Sequence, residues 1–452
     1  MKVAIIGAGW AGLAAAVQAT QAGHHAIVLE AAHAIGGRSR ALKGTLPDGT
    51  PVLLDNGQHI LIGAYTETLR LMRLVGVEPA TALLQQPMTL LFPGGQGLRF
   101  PPWPTPLDAL AGIVTARGWT LADKGSLLRV AAGWQQRRFQ CAPKLSVAAL
   151  CQGLSPRVRA ELIEPLCVSA LNTPAARASA QVFLRVLQDA LFGVQGGSRL
   201  LLPRLDLSAL FPDAAARWLT QRTGQLRLGA RVDTLVPQGA QWQVAGELFD
   251  AVILATSASE SARTLINSAQ AAPLLIANNL RHWSQIAQAL QFEAIATVYA
   301  WGHGATLPYP MLTLRSGTSA TDPNANPAQF VFDRGQLGGP PGLLAFVVSA
   351  SSDDRATLQA QVLAQARQQL GLTLQAVQTV VEKRATFACT PNLQRPPAQI
   401  APGLLACGDY VAGPYPATLE GALRSAEAAV QLLAPARYDA QQSHSSNTES
   451  TP

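Results

Sequence analysis

Residues 3–30 read VAIIGAGWAGLAAAVQATQAGHHAIVLE, and a secretion signal, a membrane anchor or the floor of a nucleotide site can each begin this way. A secretion signal needs a basic start, an apolar middle and a small-residue cleavage site, which Lys2 and the alanines imitate. An anchor needs about 18 apolar residues without a polar break. The glycines decide against both. Val3 to Ile6 reads as a short buried strand, after which Gly7, Gly9 and Gly12 fall in the G-x-G-x-x-G spacing. The first glycine allows the tight turn, the second lets backbone N–H groups approach a pyrophosphate, and the third lets the following helix pack on the strand. That helix runs on through Ala14 to Ala22, its positive dipole end toward the phosphates. Gly23 ends it, and HAIVLE is a second strand. Glu30 closes that strand, where a carboxylate can accept both ribose hydroxyls. The stretch is a dinucleotide floor.

With 452 residues the chain has room for more than one domain and a large core. Charged residues make up only 13%, about half the usual share, which suits large packed interfaces or an apolar ligand. The net charge of +7 is concentrated. Arg117, Lys124, Arg129, Arg137, Arg138, Lys144, Arg157 and Arg159 lie in one segment with Asp123 as its sole acid, and they account for the whole excess. The five cysteines are odd in number, with no CxxC spacing and no His partners at zinc distances. No disulfide framework or structural metal is expected, and a reducing cytoplasm fits. The polar end of the chain, 436–452, reads as a disordered tail.

From Glu30 the chain reads EAAHAIGGRSR, with Gly36, Gly37 and Arg38 in a row. A guanidinium there can reach back to a diphosphate bidentately while the glycines keep the loop close. This run resembles the glutathione-reductase-type FAD flavoproteins, which include amine oxidases and carotenoid desaturases. The resemblance implies an α/β fold, a Rossmann-like FAD-binding domain carrying an inserted mixed α+β substrate domain. It also implies that Asp409, in the strand–loop–helix GLLACGDYVAGPYPATLEGALRSAEAA, binds the ribityl chain. The helix there should start at about Thr418, with Leu419, Ala422, Leu423, Ala426 and Val430 on its apolar face. In the same family a strand matching Leu226 to Val232 brings backbone groups of Val232 to the adenine.

Three distant pieces reach one cofactor only if the chain leaves the FAD domain and returns. The expected FAD domain is 1–85, 200–275 and 385–435, and the substrate domain is 86–199 and 276–384. The first insert reads as helical in PLDALAGIVTARG, TLADKGSLLRVAAGWQQRR and AARASAQVFLRVLQDALF, with Leu127, Val130, Ala131 and Trp134 on one face. The second holds strands, EAIATVYAW and GLLAFVVSA. Two strands are expected in TLPDGTPVLLDNGQHILIGAY, then a helix with Leu69, Met72, Arg73 and Gly76 along one side.

Gly57-Gln58-His59 places a flexible glycine beside two side chains that can donate hydrogen bonds. In related flavoenzymes this segment passes the flavin, with a glycine where backbone nears the ring. DNGQHILIGAY, LNTPAARASA, LLPRLDLSALFPDAAARWL and GPYPATLEGALRSAEAA together resemble the squalene-associated FAD-dependent desaturases, the hydroxysqualene dehydroxylase family of bacterial hopanoid pathways, over about 1–435. The resemblance implies reductive loss of an allylic hydroxyl from hydroxysqualene. His59 is the candidate proton donor to the leaving hydroxide and Gln58 the orienting residue; Tyr410 and Tyr415 are secondary candidates, expected to pack against flavin or cavity wall rather than transfer a proton. Carotenoid desaturation and amine oxidation share these motifs, and the Rab GDP-dissociation inhibitors share the architecture as non-catalytic prenyl-lipid binders. An isoprenoid substrate is met at a membrane. The basic residues of Arg117–Arg159, interleaved with Trp119, Leu127, Leu128, Trp134 and Phe139, suit an anionic inner-membrane surface. No nucleic-acid recognition motif accompanies the charge.

Overall fold

The computed structural model describes residues 1–317, 325–351 and 354–433; the tail expected at 436–452 lies outside them. Strand Lys2–Ile6 pairs in parallel with His25–Glu30, Ile6 opposite Leu29, and on its other side with Ala251–Leu254. The sheet runs Gln225–Leu228, His25–Glu30, Lys2–Ile6, Ala251–Leu254, Leu404–Ala406, with Gln399–Ala401 antiparallel at the edge. A parallel sheet is covered on both faces, so its strands are apolar throughout. Val3, Ile5, Ala26 and Val28 pack beneath helices Trp10–Gln21, Pro212–Thr220 and Leu419–Gln431. Ala4, Ile6, Ile27 and Leu29 face the opposite core. Segments hundreds of residues apart thus meet edge to edge.

The expected strand through Val232 is shorter than its alternation suggests. It ends at Leu228, because Gly229 takes φ +69°. The chain then hydrogen-bonds back to the turn after Glu30, Gly229 N–H to the Ala32 carbonyl and Ala230 N–H to that of Glu30. Val232 follows in irregular backbone. Pro51–Asp55 is a strand, but its partner is Ala41–Thr45, across a turn in which Asp48 accepts the Thr50 N–H. Leu61–Ile62 pairs instead with Leu200–Pro203.

The second sheet is antiparallel, in the order Met311–Thr313, Phe330–Asp333, Leu343–Ser349, Phe292–Trp301, Gln375–Phe387. Its period-two pattern is visible in Leu343–Ser349. Leu344, Phe346 and Val348 pack on helix Arg355–Leu370, while Leu343, Ala345 and Val347 face the main core. Opposite lie the helices Leu107–Thr115, Leu121–Gln136, Glu164–Leu171 and Ala180–Gln188. Thr120 and Asp123 form a reciprocal capping box that fixes the start of the second. Two wider π turns, Arg159–Ile163 and Asp189–Gly193, interrupt this layer. No helix among the described residues is long and apolar enough to cross a membrane.

Helix Thr66–Leu74 is rotated from the expected face. It buries Glu67, Thr68, Leu71 and Met72, and leaves Arg73 exposed. Glu420, fully buried, sets that rotation. Its carboxylate accepts the backbone N–H groups of Glu67 (3.0 Å) and Thr68 (2.8 Å) and the Thr68 hydroxyl (2.7 Å). A capping anion from another helix therefore chooses which side faces in.

Candidate functional site

One cavity of ≈ 1120 Å³ runs between the two sheets and under the helical layer. Of the site residues singled out in the sequence, all line it except Tyr410 and Gly12, the latter acting from behind. A Cβ on Gly12 would sit 1.9 Å from the Gly7 carbonyl oxygen. Only a glycine lets the helix lie this close to the strand. Gly9 precedes helix Trp10–Gln21 with no side-chain cap and no acid in the first turn, leaving its N–H groups for an anion. The loop carrying Gly36 and Gly37 returns over this turn. Gly36 N–H donates to the Ala8 carbonyl, and a Cβ on Gly37 would stand 3.1 Å from Gly9 Cα. The Trp10 indole N–H bonds to the Ser39 carbonyl at 2.9 Å, tying loop to helix.

Glu30 accepts from Ala8 N–H (2.6 Å) and Ala32 N–H (2.8 Å). Each carboxylate oxygen retains a lone pair for a ribose hydroxyl. Arg38 and Asp409, 371 residues apart, form an ion pair of 2.5 Å. The second guanidinium nitrogen donates to the carbonyls of Ala385 (2.5 Å) and Arg384 (3.2 Å). Asp409 raises the Arg38 pKa further above its usual value, against the cost of burial. Asp409 follows strand Leu404–Ala406, and the intervening Gly408 N–H is held by the Ser425 hydroxyl at 2.8 Å. Val232 is buried, with its carbonyl accepting from Thr264 at 3.4 Å. The cradle fits a dinucleotide: helix N–H groups free for an anion, with the Arg38 guanidinium and the Glu30 and Asp409 carboxylates that would face its diphosphate, ribose and ribityl parts.

Gly57, at φ +100°, turns the chain so that Gln58 and His59 enter the cavity. The His59 Nδ1 lies 2.8 Å from the Gly57 carbonyl. A carbonyl only accepts, so Nδ1 carries the proton and Nε2 faces the Ser39 hydroxyl (3.3 Å) with its lone pair. Burial lowers the His59 pKa; the Gly57 carbonyl opposes this and the Arg38 charge adds to it. The resting ring is therefore neutral at pH 7, and its one proton is committed to backbone. Gln58 is held at three points: N–H to the Thr297 hydroxyl (3.3 Å), Nε2 to the His59 carbonyl (3.3 Å), and Oε1 from Arg334 (3.2 Å). Behind Arg334 is Asp55, 3.9 Å away and 2% exposed. Its carboxyl is pushed up to about 6, chiefly by burial, with the Leu207 N–H and Arg334 pulling the other way.

Beyond these residues the wall is mainly apolar, with Gln135, Ser169, Asn172 and Ser349 among its few polar side chains toward the helical layer and the second sheet. The helical layer contributes Ile113, Leu127, Trp134, Leu166 and Leu187, and the second sheet Met311, Phe330, Phe332 and Val347. Leu162, Ile163 and Leu191 come from the two π turns, a placement common near ligands. This corrects the expected surface of the basic segment. Trp119, Leu127, Trp134 and Phe139 are all less than 10% exposed, and Leu128 also lines the cavity. The segment turns these apolar side chains inward and its cations outward, so the apolar ones cannot meet a lipid surface. Tyr410 is buried against the Ser261 hydroxyl at 3.0 Å, and Tyr415 lines the cavity. Sequence reasoning missed Ser39, Asn56, Thr297 and Arg334. Asn56, which donates to the Arg38 carbonyl at 2.7 Å, had a signal in the Asn-Gly turn. The others had none.

A model of the family described as flavin containing amine oxidoreductase matches residues 10–434. The chain is 25% identical over 469 residues to the hydroxysqualene dehydroxylase of Sinorhizobium fredii, covering 95% of this chain and 98% of that protein. It is 36% identical over 96 residues to the zeta-carotene desaturase of Synechocystis sp., 21% of this chain and 19% of that one. Its fold matches an oxidoreductase from Methanosarcina mazei with a TM-score of 0.69, at 15% identity, covering 95% of this chain and 100% of the other. The fold is thus shared with that oxidoreductase, and the flavin of the matched family, FAD, is the cofactor.

Proposed function

The chain belongs to the flavin containing amine oxidoreductases, and on that premise we propose that it reductively removes the allylic hydroxyl of hydroxysqualene to give squalene. The cavity carries the reading. At ≈ 1120 Å³ it exceeds the usual small-molecule site of about 300–1,000 Å³, which suits a dinucleotide plus a long chain, and its substrate end is apolar. An amine would seek a free carboxylate. The acidic side chains on the wall are engaged: Glu30 by backbone, Asp409 by Arg38, Glu260 by Arg263 and Glu382 by Asn56. The dehydroxylase relative, matched over nearly the whole of both chains, supports the same substrate. About 1–85, 200–275 and 385–435 then form the cofactor unit, with 86–199 and 276–384 enclosing the substrate.

Gly7, Gly9, Gly37 and Gly57 let backbone approach FAD, while Glu30, Arg38, Val232 and Asp409 hold its ribose, diphosphate, adenine and ribityl parts. When bound and reduced, FAD supplies the hydride. As hydride adds to the allylic carbon the C–O bond breaks, and the departing hydroxide takes a proton to leave as water. His59 supplies that proton. Burial and Arg38 make its imidazolium, once formed at Nε2, a stronger acid than usual and one formed more readily as pH falls. Gln58, fixed by Arg334 and Thr297, orients the hydroxyl with its remaining amide N–H. The apolar walls exclude water.

Carotenoid desaturation is the second reading, favoured by the zeta-carotene desaturase relative. Incubating anaerobically pre-reduced holoprotein with hydroxysqualene, and oxidised holoprotein with phytoene or a primary amine, separates the cases. Squalene from the first, with the other two unchanged, is expected; turnover of phytoene or the amine instead overturns the reading.

A further inference from the structure

The outer end of the cavity carries an apolar surface that nothing among the described residues covers. Leu107, Leu110 and Val114 stand at i, i+3 and i+7 along helix Leu107–Thr115 and are 57%, 49% and 54% exposed. Trp103 before the helix is 57% exposed, and Leu121 after it 87%. Three such residues on one helical face form a stripe, and here the stripe points outward. The inward side of the same helix holds Asp108 and Gly112, both buried, with Asp108 accepting from the Ser198 hydroxyl. Leu107 and Leu110 also line the cavity, as does Phe192, 44% exposed on the π turn opposite. These residues belong to both the inner wall and the outer surface, so the stripe borders the mouth.

The charge around it has one sign. Arg99, on the strand that packs against the helix, and Arg117, just past its end, are exposed, and Lys124 donates to the Val114 carbonyl at the end of the stripe (2.7 Å). Between residues 97 and 159 the only acids are Asp108 and Asp123, 5% and 8% exposed. The next acid, Glu161, is held by the Trp119 indole and by Arg315, so a second copy of the chain meeting this face would set mainly cation against cation. An apolar stripe within a cationic collar matches the boundary of an anionic bilayer, where the stripe enters the acyl region and the collar meets headgroups.

We propose that the Trp103–Leu121 face docks on an anionic lipid bilayer and opens the cavity mouth directly into it. A water-insoluble substrate then passes from lipid to the site without crossing water. That purpose rests on the isoprenoid reading above; the docking itself does not.

The test is co-sedimentation of the holoprotein with vesicles of phosphatidylglycerol and phosphatidylcholine, against vesicles of phosphatidylcholine alone. Wild type is expected to prefer the anionic vesicles and to lose that preference in high salt. The triple variant Trp103→Gln/Val114→Asp/Leu121→Asp, none of whose positions lines the cavity, is expected to bind at least about tenfold more weakly. It should keep its flavin and its turnover of detergent-solubilised hydroxysqualene. Equal binding of variant and wild type overturns the proposal, as does a wild type that forms dimers in solution and ignores vesicles. Anionic-vesicle binding by a wild type that leaves hydroxysqualene untouched upholds the docking and rejects the substrate.

Discussion

Replacing Arg38 by Met removes the group on which two remote parts of the chain converge. Its guanidinium holds Asp409 at 2.5 Å and donates to the carbonyls of Ala385 and Arg384. An exposed ion pair contributes about 0.2–1 kcal/mol, whereas stripping one partner from a buried pair costs about 3–5 kcal/mol. The Arg38 side chain is 36% exposed and that of Asp409 12%, so solvent screening places this pair between those limits. Loss of about 2 kcal/mol of folding stability is expected. The cofactor loses more than the fold does. A charge-assisted hydrogen bond contributes about 1.5–3 kcal/mol, so FAD should bind roughly 10- to 100-fold more weakly. Titrating FAD into apoprotein and following flavin fluorescence measures this, with urea unfolding reporting stability separately. Arg38→Lys, which cannot span Asp409 and two carbonyls at once, should fall between. A variant Arg38→Met that binds FAD within twofold of wild type would show that the guanidinium does not hold the cofactor.

Gly12→Ala places a methyl 1.9 Å from the Gly7 carbonyl oxygen; two backbones cannot part cheaply, so a loss of about 3 kcal/mol and of bound flavin is expected, and an unchanged unfolding midpoint contradicts it. Asp55 titrates near 6 in the fold against 3.8 normally. The folded state therefore holds its proton more tightly, a contribution present below pH 3.8 and lost as pH rises through 6, of the order of 3 kcal/mol. Asp55→Asn should flatten the fall in stability between about pH 4 and 6, and a curve parallel to wild type refutes this. His59 has the opposite sign, with its pKa below 6.5. Stability should decline as pH drops from 6.5 toward that lowered value, while substrate reduction accelerates; His59→Gln should abolish the acid-side rise, and its survival removes His59 from proton delivery.

The cradle was legible because its geometry is local. Gly7, Gly9, Gly12, Glu30 and Gly37 act through backbone spacing within one βαβ unit, and sequence distance is then nearly spatial distance. Asp409 was placed by the resemblance, and its pairing with Arg38 follows from the strand order. The supports of Gln58 were hidden. Thr297, on a strand of the second sheet, and Arg334, just past the end of another, lie 239 and 276 residues away, and nothing local to either marks it. The basic segment was misread for a different reason. Leu127, Val130, Ala131 and Trp134 already formed an apolar face, and such a face turns inward when a wall is there to receive it. The lipid-like surface then falls on the preceding helix, where Leu107, Leu110 and Val114 have no wall to meet. The rotation of helix Thr66–Leu74 depends on Glu420, a cap that no reading of residues 66–74 could supply.

The central claim is transfer of hydride from protein-bound flavin to an allylic carbon that gives up hydroxide. Holoprotein reduced anaerobically and mixed with one equivalent of hydroxysqualene tests it in a single turnover. The flavin absorbance should return to the oxidised spectrum at the rate at which squalene appears, one for one. Flavin that stays reduced while the alcohol persists, or that reoxidises without squalene, contradicts it.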